Sequence, residues 1–453
     1  MTVPDDLVIP LVDEGLGNSS YLVDLGEGRA LAIDPSRDLR LLDRTAARRG
    51  LSVVVAAETH LHADFVSGST RLSARDGITV LGAAAGHRQF PHRPLQDGDE
   101  VGLGGLMLRA WATPGHTAEH LAYLLVDGDW VRAVFTGGSL IVGSAARTDL
   151  AGDAHTDRLA RAQFGSLRRL AQLPDDAAVY PTHGAGSFCS APLVGDRVTT
   201  IAREKANNPL LRITDEDAFV DALRTGLGSF PPYFLRLAEV NRRGPALPEE
   251  GTLRALSVPT VLALRRSGGI VVDVRPVGEY AAGHIPGSLA IALRPAFTSW
   301  LGWLVSNPHT PLVFVRTPDQ EPDEIVWQAR KIGYDNLVGE LGGGIAAWRA
   351  AGQPLRSTTL LPADEAKRYR LLDVRQAAEY TAGHVPHAVH VELGALAAAD
   401  LPPGTVAVMC SHGERATTGA SVLERAGRPA VGVVVGGPED WADATGRSLE
   451  VSG

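Results

Sequence analysis

The chain has 453 residues, is 44% hydrophobic and 21% charged, and carries a formal charge of -9. That length exceeds one ordinary core and predicts two to four domains, while an acidic balance without clustered Lys and Arg excludes a nucleic-acid footprint. The start "MTVPDDLVIP" has no basic lead into an apolar core, no segment approaches the roughly 18 apolar residues that span a bilayer, and two cysteines, Cys189 and Cys410, are too few for a disulfide framework.

A cytoplasmic protein with no membrane partner is expected, and a homo-oligomer is compatible with this composition. Residues 1–245 alternate β-branched runs ("YLVDLG", "ALAIDP", "LSVVVAAETH", "HLAYLLV", "VRAVFTGG") with helical patterns such as Leu159 to Leu173. This predicts an α/β domain whose polar motifs fall just after strands. Pro, Gly and charge replace periodicity across "NRRGPALPEEG", which marks a domain boundary.

Within the first block, "ETHLHADFVSG" sets His60, His62 and Asp64 on alternate residues after an apolar run. His116 in "ATPGHTAEH" offers a distant third corner, and His183 in "YPTHGAGS" follows another strand. Four histidines at strand ends form a metal-ligand constellation. His87, His92 and His120 are read as ordinary surface or core residues.

The spacing resembles the metallo-β-lactamase superfamily, an αββα sandwich with metal at the sheet ends. The details "THLHAD", "TPGHT", "FTGGSL", "ARTDL" and "YPTHG" look most like persulfide dioxygenases, especially those fused to rhodanese domains. That resemblance implies one Fe(II) held by His60, His116 and a carboxylate at position 138, leaving room for a persulfide and O2.

Position 138 is Gly, and Phe65 stands where a second-site His would be. A second ion would keep only Asp64 and His183, so one metal is the expected maximum. His60, His62 and His116 could form a three-imidazole site suited to Zn(II); alternatively Asp64 or Asp149 supplies the missing carboxylate and keeps Fe(II) chemistry. Cys189, six positions after His183, either holds a persulfide near the metal or packs as a loop cysteine. Arg147 either recognises the carboxylate of the thiol carrier or forms a structural salt bridge.

Beyond the boundary the chain repeats. "VVDVRPVGEYAAGHIPGS" from Val271 matches "LLDVRQAAEYTAGHVPHA" from Leu371, and "GGIAAW" matches "GGPEDW", which predicts two tandem domains at 252–355 and 357–453. Asp273 to Trp348 spans 75 positions and Asp373 to Trp441 spans 68, and the extra residues are expected after the strands "PLVFV" and "VAVM". "VAVMCSHGERATTGASVLERAG" reads as strand, loop and amphipathic helix, a setting that makes Cys410 an acidic, anion-facing candidate nucleophile.

These motifs resemble the rhodaneses. By that likeness Cys410 carries a persulfide, the loop amides of Ser411, His412, Gly413 and Glu414 hold its sulfur, and Arg415 attracts sulfite or thiosulfate. A protein phosphatase loop would have five residues between Cys and Arg to admit phosphate; here there are four. In the first repeat Arg316 takes the cysteine position, Pro318 and Pro322 lack donors, and acidic residues surround it, so that domain is expected to be silent and to pack against its neighbours.

The expected architecture is therefore α/β multidomain, a metallo-β-lactamase sandwich followed by two rhodanese-like domains. The expected function is oxidation of a low-molecular-weight thiol persulfide to sulfite coupled to sulfur transfer through Cys410. A zinc thioester hydrolase of the hydroxyacylglutathione-hydrolase type and a metal-free sulfur relay are the competing expectations.

Overall fold

The computed structural model describes residues 7–189, 195–225, 227–248, 251–428 and 430–452. Residues 1–249 with 330–333 make one compact unit; residues 250–329 with 334–453 make a second. No helix among the described residues is long and apolar enough to cross a membrane.

The first unit holds two six-stranded sheets. One runs β1 (Val8–Asp13), β2 (Asn18–Gly26), β3 (Arg29–Ile33), β4 (Ser52–Ala57), β5 (Thr79–Ala83), β6 (Arg93–Leu95). The other contains β7 (Glu100–Gly102), β8 (Met107–Ala112), β9 (Leu121–Asp127), β10 (Trp130–Gly137), β11 (Ala178–Pro181) and β12 (Thr199–Thr200), neighbours in that order.

Strand periodicity explains the layering. In β2, Tyr21, Val23 and Leu25 point into the core between the sheets, while Leu22 points outward with Leu42 and Leu72, on the helices Arg40–Arg49 and Ser69–Asp76. Tyr21 meets Phe135 and Tyr180 of the other sheet at centroid distances of 5.5 and 5.2 Å. The outer face of the second sheet packs Leu124 and Val134 against the helices Asp153–Leu170 and Glu216–Thr225. The result is helix, sheet, sheet, helix.

β4 pairs in parallel with both β3 and β5. Its residues contribute to the clusters on both faces, which is why "VVVAA" is a continuous apolar run rather than an alternation. The chain can turn polar only where β4 ends, and there it places Glu58, Thr59 and His60.

The second unit holds two five-stranded parallel sheets of one topology. The first contains β13 (Ala255–Leu256), β14 (Ile270–Asp273), β15 (Leu289–Ala290), β16 (Leu312–Val315) and β17 (Leu337–Leu341), ordered β13-β17-β16-β14-β15. The next contains β18 (Leu360–Pro362), β19 (Leu371–Asp373), β20 (Val389–His390), β21 (Ala407–Met409) and β22 (Gly432–Val435), ordered β18-β22-β21-β19-β20.

Register corrects one expectation about the repeats. Asp273 pairs with Val315 and Asp373 with Met409, so that interval spans 42 positions in the first repeat and 36 in the second. From there to Trp348 and Trp441 the spans are 33 and 32. Nearly all the extra length therefore precedes the strand: the first repeat builds the helix Phe297–Leu304 where the second has a short 3-10 turn, Leu393–Ala398.

The helix Glu414–Arg425 of the second repeat docks on the first. Glu424 accepts the backbone N–H of Gly287 at 2.8 Å and lies 3.2 Å from His284 Nε2, and Ser421 Oγ accepts the N–H of Ala290 at 3.1 Å. The first repeat thus backs the helix that begins at the Cys410 loop.

Candidate metal centre and cysteine loop

The histidines of the first unit converge. One donor atom each from His60, His116 and His183 lie within 4.8 Å of one another, and all three side chains are buried. His60 follows β4, His116 follows β8 and His183 follows β11, so three strand ends supply the cluster.

The hydrogen bonds around the rings set which nitrogen faces inward. Asp34, at the end of β3, accepts the Thr59 hydroxyl at 2.7 Å, so that hydroxyl accepts from His60 Nδ1 at 2.8 Å. His116 Nδ1 donates to the Arg147 carbonyl at 2.7 Å, and His183 Nδ1 donates to Asn18 Oδ1 at 3.1 Å. Each ring is left with a bare Nε2, the state a metal ligand requires.

His60 Nε2 and His183 Nε2 face each other at 3.4 Å, and His116 Nε2 is buried with no hydrogen-bond partner among the described residues. That separation is one that a shared proton or a common cation bridges. Burial, then the neighbouring imidazoles, hold His60 well below its usual pKa; burial, then His183, does the same for His116. Both are neutral near pH 7, and this donor set fits one divalent metal ion.

His62 lies beside that trio, its ring centroid 4.2 Å from that of His60, and its donor atom groups with those of His60 and Asp34. Its ring stacks on Phe65 at 4.2 Å and its Nε2 lies 3.2 Å from Asp34 Oδ1. Burial would raise the Asp34 carboxyl, but the His62 imidazole and the Thr182 and Thr59 hydroxyls outweigh it and keep the carboxylate ionised. The structure groups His60 with His116 and His183, and also His60 with His62 and Asp34; the sequence reading gave His60, His62 and His116 as one option.

Gly138 has a geometric cause. A Cβ there would overlap His116 Cδ2, lie 2.7 Å from His116 Cγ and 3.1 Å from Ala146 Cβ. The His116 ring occupies the room a carboxylate side chain would need. His120, read as ordinary, stacks on His60 at 5.1 Å and accepts the Gly138 N–H at 3.0 Å through Nε2.

Asp64 lies beside this cluster; Asn18 Nδ2 donates to its Oδ2 at 2.7 Å. Asp149 is engaged elsewhere, bonded by Arg147 at 2.6 and 2.7 Å. Arg147 also donates to the carbonyls of Phe188 and Gly228 and lies over the Phe230 ring at 4.3 Å, only 3% exposed, so it has the salt-bridge geometry. Cys189 is fully buried near Asp64 and His183; burial, then the Asp64 carboxylate, pushes its thiol well above the usual range. His87 is exposed and His92 bonds to the carbonyl of Phe90.

Sequence reasoning missed Asn18, Asp34, Thr59 and His120. A carboxylate directly after the strand "ALAI" is a readable signal for Asp34, which holds a left-handed φ of 49°. Asn18 carries no local signal, since its partner His183 lies 165 positions away.

In the second repeat, Cys410 follows β21 and is buried, and Gly413 donates its backbone N–H to the sulfur at 3.0 Å. Gly413 has φ 97°, a left-handed turn that aims this amide inward at the start of the helix Glu414–Arg425. Ser411 Oγ accepts from Arg415 at 2.9 Å, and His412 is exposed. Arg415 makes a bidentate pair with Glu379 at 2.6 and 2.8 Å. Burial would raise the Glu379 carboxyl, but Arg415 outweighs it and holds it low.

The first repeat reverses this polarity. Arg316 Nη1 donates to the carbonyls of Thr317 and Gln320 at 3.1 and 2.9 Å, and its other nitrogens pair with Glu340. Gln320 locks the loop by accepting the Thr317 N–H and donating to the Val274 carbonyl. Carbonyls, not amides, line this cradle.

A two-sheet sandwich with imidazoles at its strand ends, followed by two five-stranded parallel domains with one cysteine loop, defines an enzyme with a metal-binding hydrolase or dioxygenase fold joined to two rhodanese-like domains. The chain belongs to the metallo-beta-lactamase superfamily, whose model matches residues 13–183, and carries two rhodanese-like domains, matched at 257–351 and 359–444. It is 32% identical over 204 residues to a hydroxyacylglutathione hydrolase of Brucella anthropi, covering 39% of this chain and 75% of that protein. It is 30% identical over 207 residues to the mitochondrial persulfide dioxygenase ETHE1 of Homo sapiens, covering 44% and 73%. A solved structure of a metallo-beta-lactamase from Staphylococcus aureus subsp. aureus COL matches with a TM-score of 0.66 at 26% identity, covering 74% of this chain and 98% of that one.

Proposed function

We propose that residues 1–245 oxidise a low-molecular-weight thiol persulfide in a reaction that needs one bound metal ion, Fe(II). In this reading residues 357–453 transfer sulfane sulfur through Cys410 and residues 252–355 are catalytically silent. The observation that carries the reading is a buried cluster of strand-end histidines in the same chain as a cysteine loop whose amide meets the sulfur. Similarity to the human persulfide dioxygenase supports it.

One persulfide, one O2 and one water give a thiol, sulfite and two protons; four electrons pass from the terminal sulfur to oxygen. When bound, the metal supplies open coordination positions and redox chemistry at His60, His116 and His183. The chain's own part is to orient those imidazoles through Asp34 with Thr59, the Arg147 carbonyl and Asn18, in a buried site.

At the other site, the Cys410 thiolate attacks the outer sulfur of a persulfide, the S–S bond breaks, and the carrier leaves as a thiolate. Sulfite then attacks the sulfur on Cys410 and departs as thiosulfate, returning the thiolate without any oxidant. The Gly413 N–H steadies negative charge on sulfur throughout.

Iron-loaded protein given glutathione persulfide should consume O2 and release sulfite. Folded, iron-loaded protein that consumes none with any thiol persulfide would sink the oxidation half. Similarity to hydroxyacylglutathione hydrolase favours a second reading, thioester hydrolysis by a zinc form. Thioester turnover without oxygen uptake would replace the first reading with this one; an anaerobically prepared chain that binds no metal would leave only a sulfur relay.

A further inference from the structure

The loop that carries His60, His62 and Asp64 has neither strand nor helix of its own between residues 58 and 66. Both ends of the His60–Asp64 stretch nevertheless meet one ring: His60 Nε2 lies 3.4 Å from His183 Nε2, and Asp64 Oδ2 lies 3.4 Å from His183 Nδ1. An extended chain would set residues 60 and 64 about 13 Å apart. The loop must therefore curl, and the curl needs a holder.

That holder comes from the far end of the domain. Asn241 Nδ2 donates to the carbonyls of His62 at 2.7 Å and Phe65 at 2.8 Å, and Asn241 Oδ1 accepts the Ser67 N–H at 2.9 Å. Two carbonyls three residues apart thus share one nitrogen, where an extended chain would hold them about 10 Å apart. Asp64 sits inside that turn. Asn241 itself lies on the buried face of the helix Phe234–Arg243 with Phe234 and Leu237, at the spacing that packs apolar side chains. A carboxamide at such a position costs desolvation unless it is fully bonded, and both of its N–H donors and its oxygen go to this one loop.

We infer that Asn241 is a positioning residue of the metal centre: through backbone groups alone it imposes the curl that turns His60 and Asp64 toward His183. The inference rests on reading His60, His116 and His183 as the site of one metal ion. A loop already curled spares metal binding the cost of ordering it, so the carboxamide raises affinity from outside the ligand set.

The test uses Zn(II) with the metal-free full-length chain, reading affinity by chelator competition and folding by circular dichroism. His116→Ala, on a separate loop, should weaken binding and so mark it as binding to this cluster. Asn241→Ala should weaken Zn(II) binding at least roughly tenfold, and so should Asn241→Asp, which matches the parent in size and keeps an acceptor for Ser67 but removes both donors. The rise in melting temperature at one fixed Zn(II) concentration should shrink in step. A residue that serves folding alone would instead lower the metal-free and metal-loaded melting temperatures equally. Folded variants with parental affinity and an undiminished rise overturn the inference, as does failure of both to fold in saturating Zn(II). A parent chain that binds no Zn(II), or binds it unchanged with His116→Ala, overturns the metal-site reading and this inference with it. None of these outcomes involves oxygen uptake, so failure here is distinguishable from failure of the persulfide reading.

Discussion

Arg316 and Cys410 stand at the same place in two copies of one fold, and the backbone around them points opposite ways. At Cys410 an amide faces the side chain; at Arg316 carbonyls do. Around both sites the scaffold is nearly superimposable in its bonding. Arg275 grips Asp273 and the Gly283 carbonyl as Arg375 grips Asp373 and the Gly383 carbonyl. Tyr280 stacks on His284 at 3.9 Å, and Tyr380 on His384 at 3.8 Å. The most visible motif of the repeat is therefore a folding device, and it carries no information about which copy reacts.

The largest test of this contrast is Cys410→Ser. Thiosulfate formation should fall by roughly a thousandfold or more, with metal bound to the first unit unchanged on elemental analysis. Retained transfer would move the nucleophile elsewhere.

If the shared motif is structural, Asp273→Asn and Asp373→Asn should cost alike. Each breaks a buried ion pair, and denaturant titration should register about 3–5 kcal/mol in either repeat. A loss confined to the second repeat would tie the motif to chemistry instead.

Arg316→Cys in a Cys410→Ser background should give no sulfur transfer, because the carbonyl-lined loop offers a thiolate no donor. Turnover above background would mean that the loop can invert. Arg316→Met should cost about 1 kcal/mol of stability by leaving those carbonyls without their partner, measured by thermal melting.

The smallest effect concerns Glu379 and pH. Its carboxyl sits below the usual range when folded, so its contribution is present above the unfolded value of about 4.3 and is lost as pH falls through the folded value. The side chain is 38% exposed, and solvent screening limits the pair to under about 1 kcal/mol. Glu379→Gln should lower the melting temperature slightly at pH 7 and match the parent in acid; an equal difference at both would assign the loss to packing.

Local pattern by itself determined the α/β character, the two repeats, the strand-end histidines and the loss of cysteine from the first loop. Those features are legible because strand period, turn chemistry and motif spacing act over a few residues. Tertiary structure alone decided that His183 joins His60 and His116, through Asn18 at the start of β2 and the turn that carries His183, and that Asp34 joins His60 and His62. It also decided that the His116 ring fills the space beside Gly138, that Cys189 reaches Asp64, and that the Arg316 cradle is lined by carbonyls. A ring's free nitrogen and a loop's polarity are set by hydrogen-bond partners brought together from distant strands, and no run of neighbouring residues specifies which partners those are.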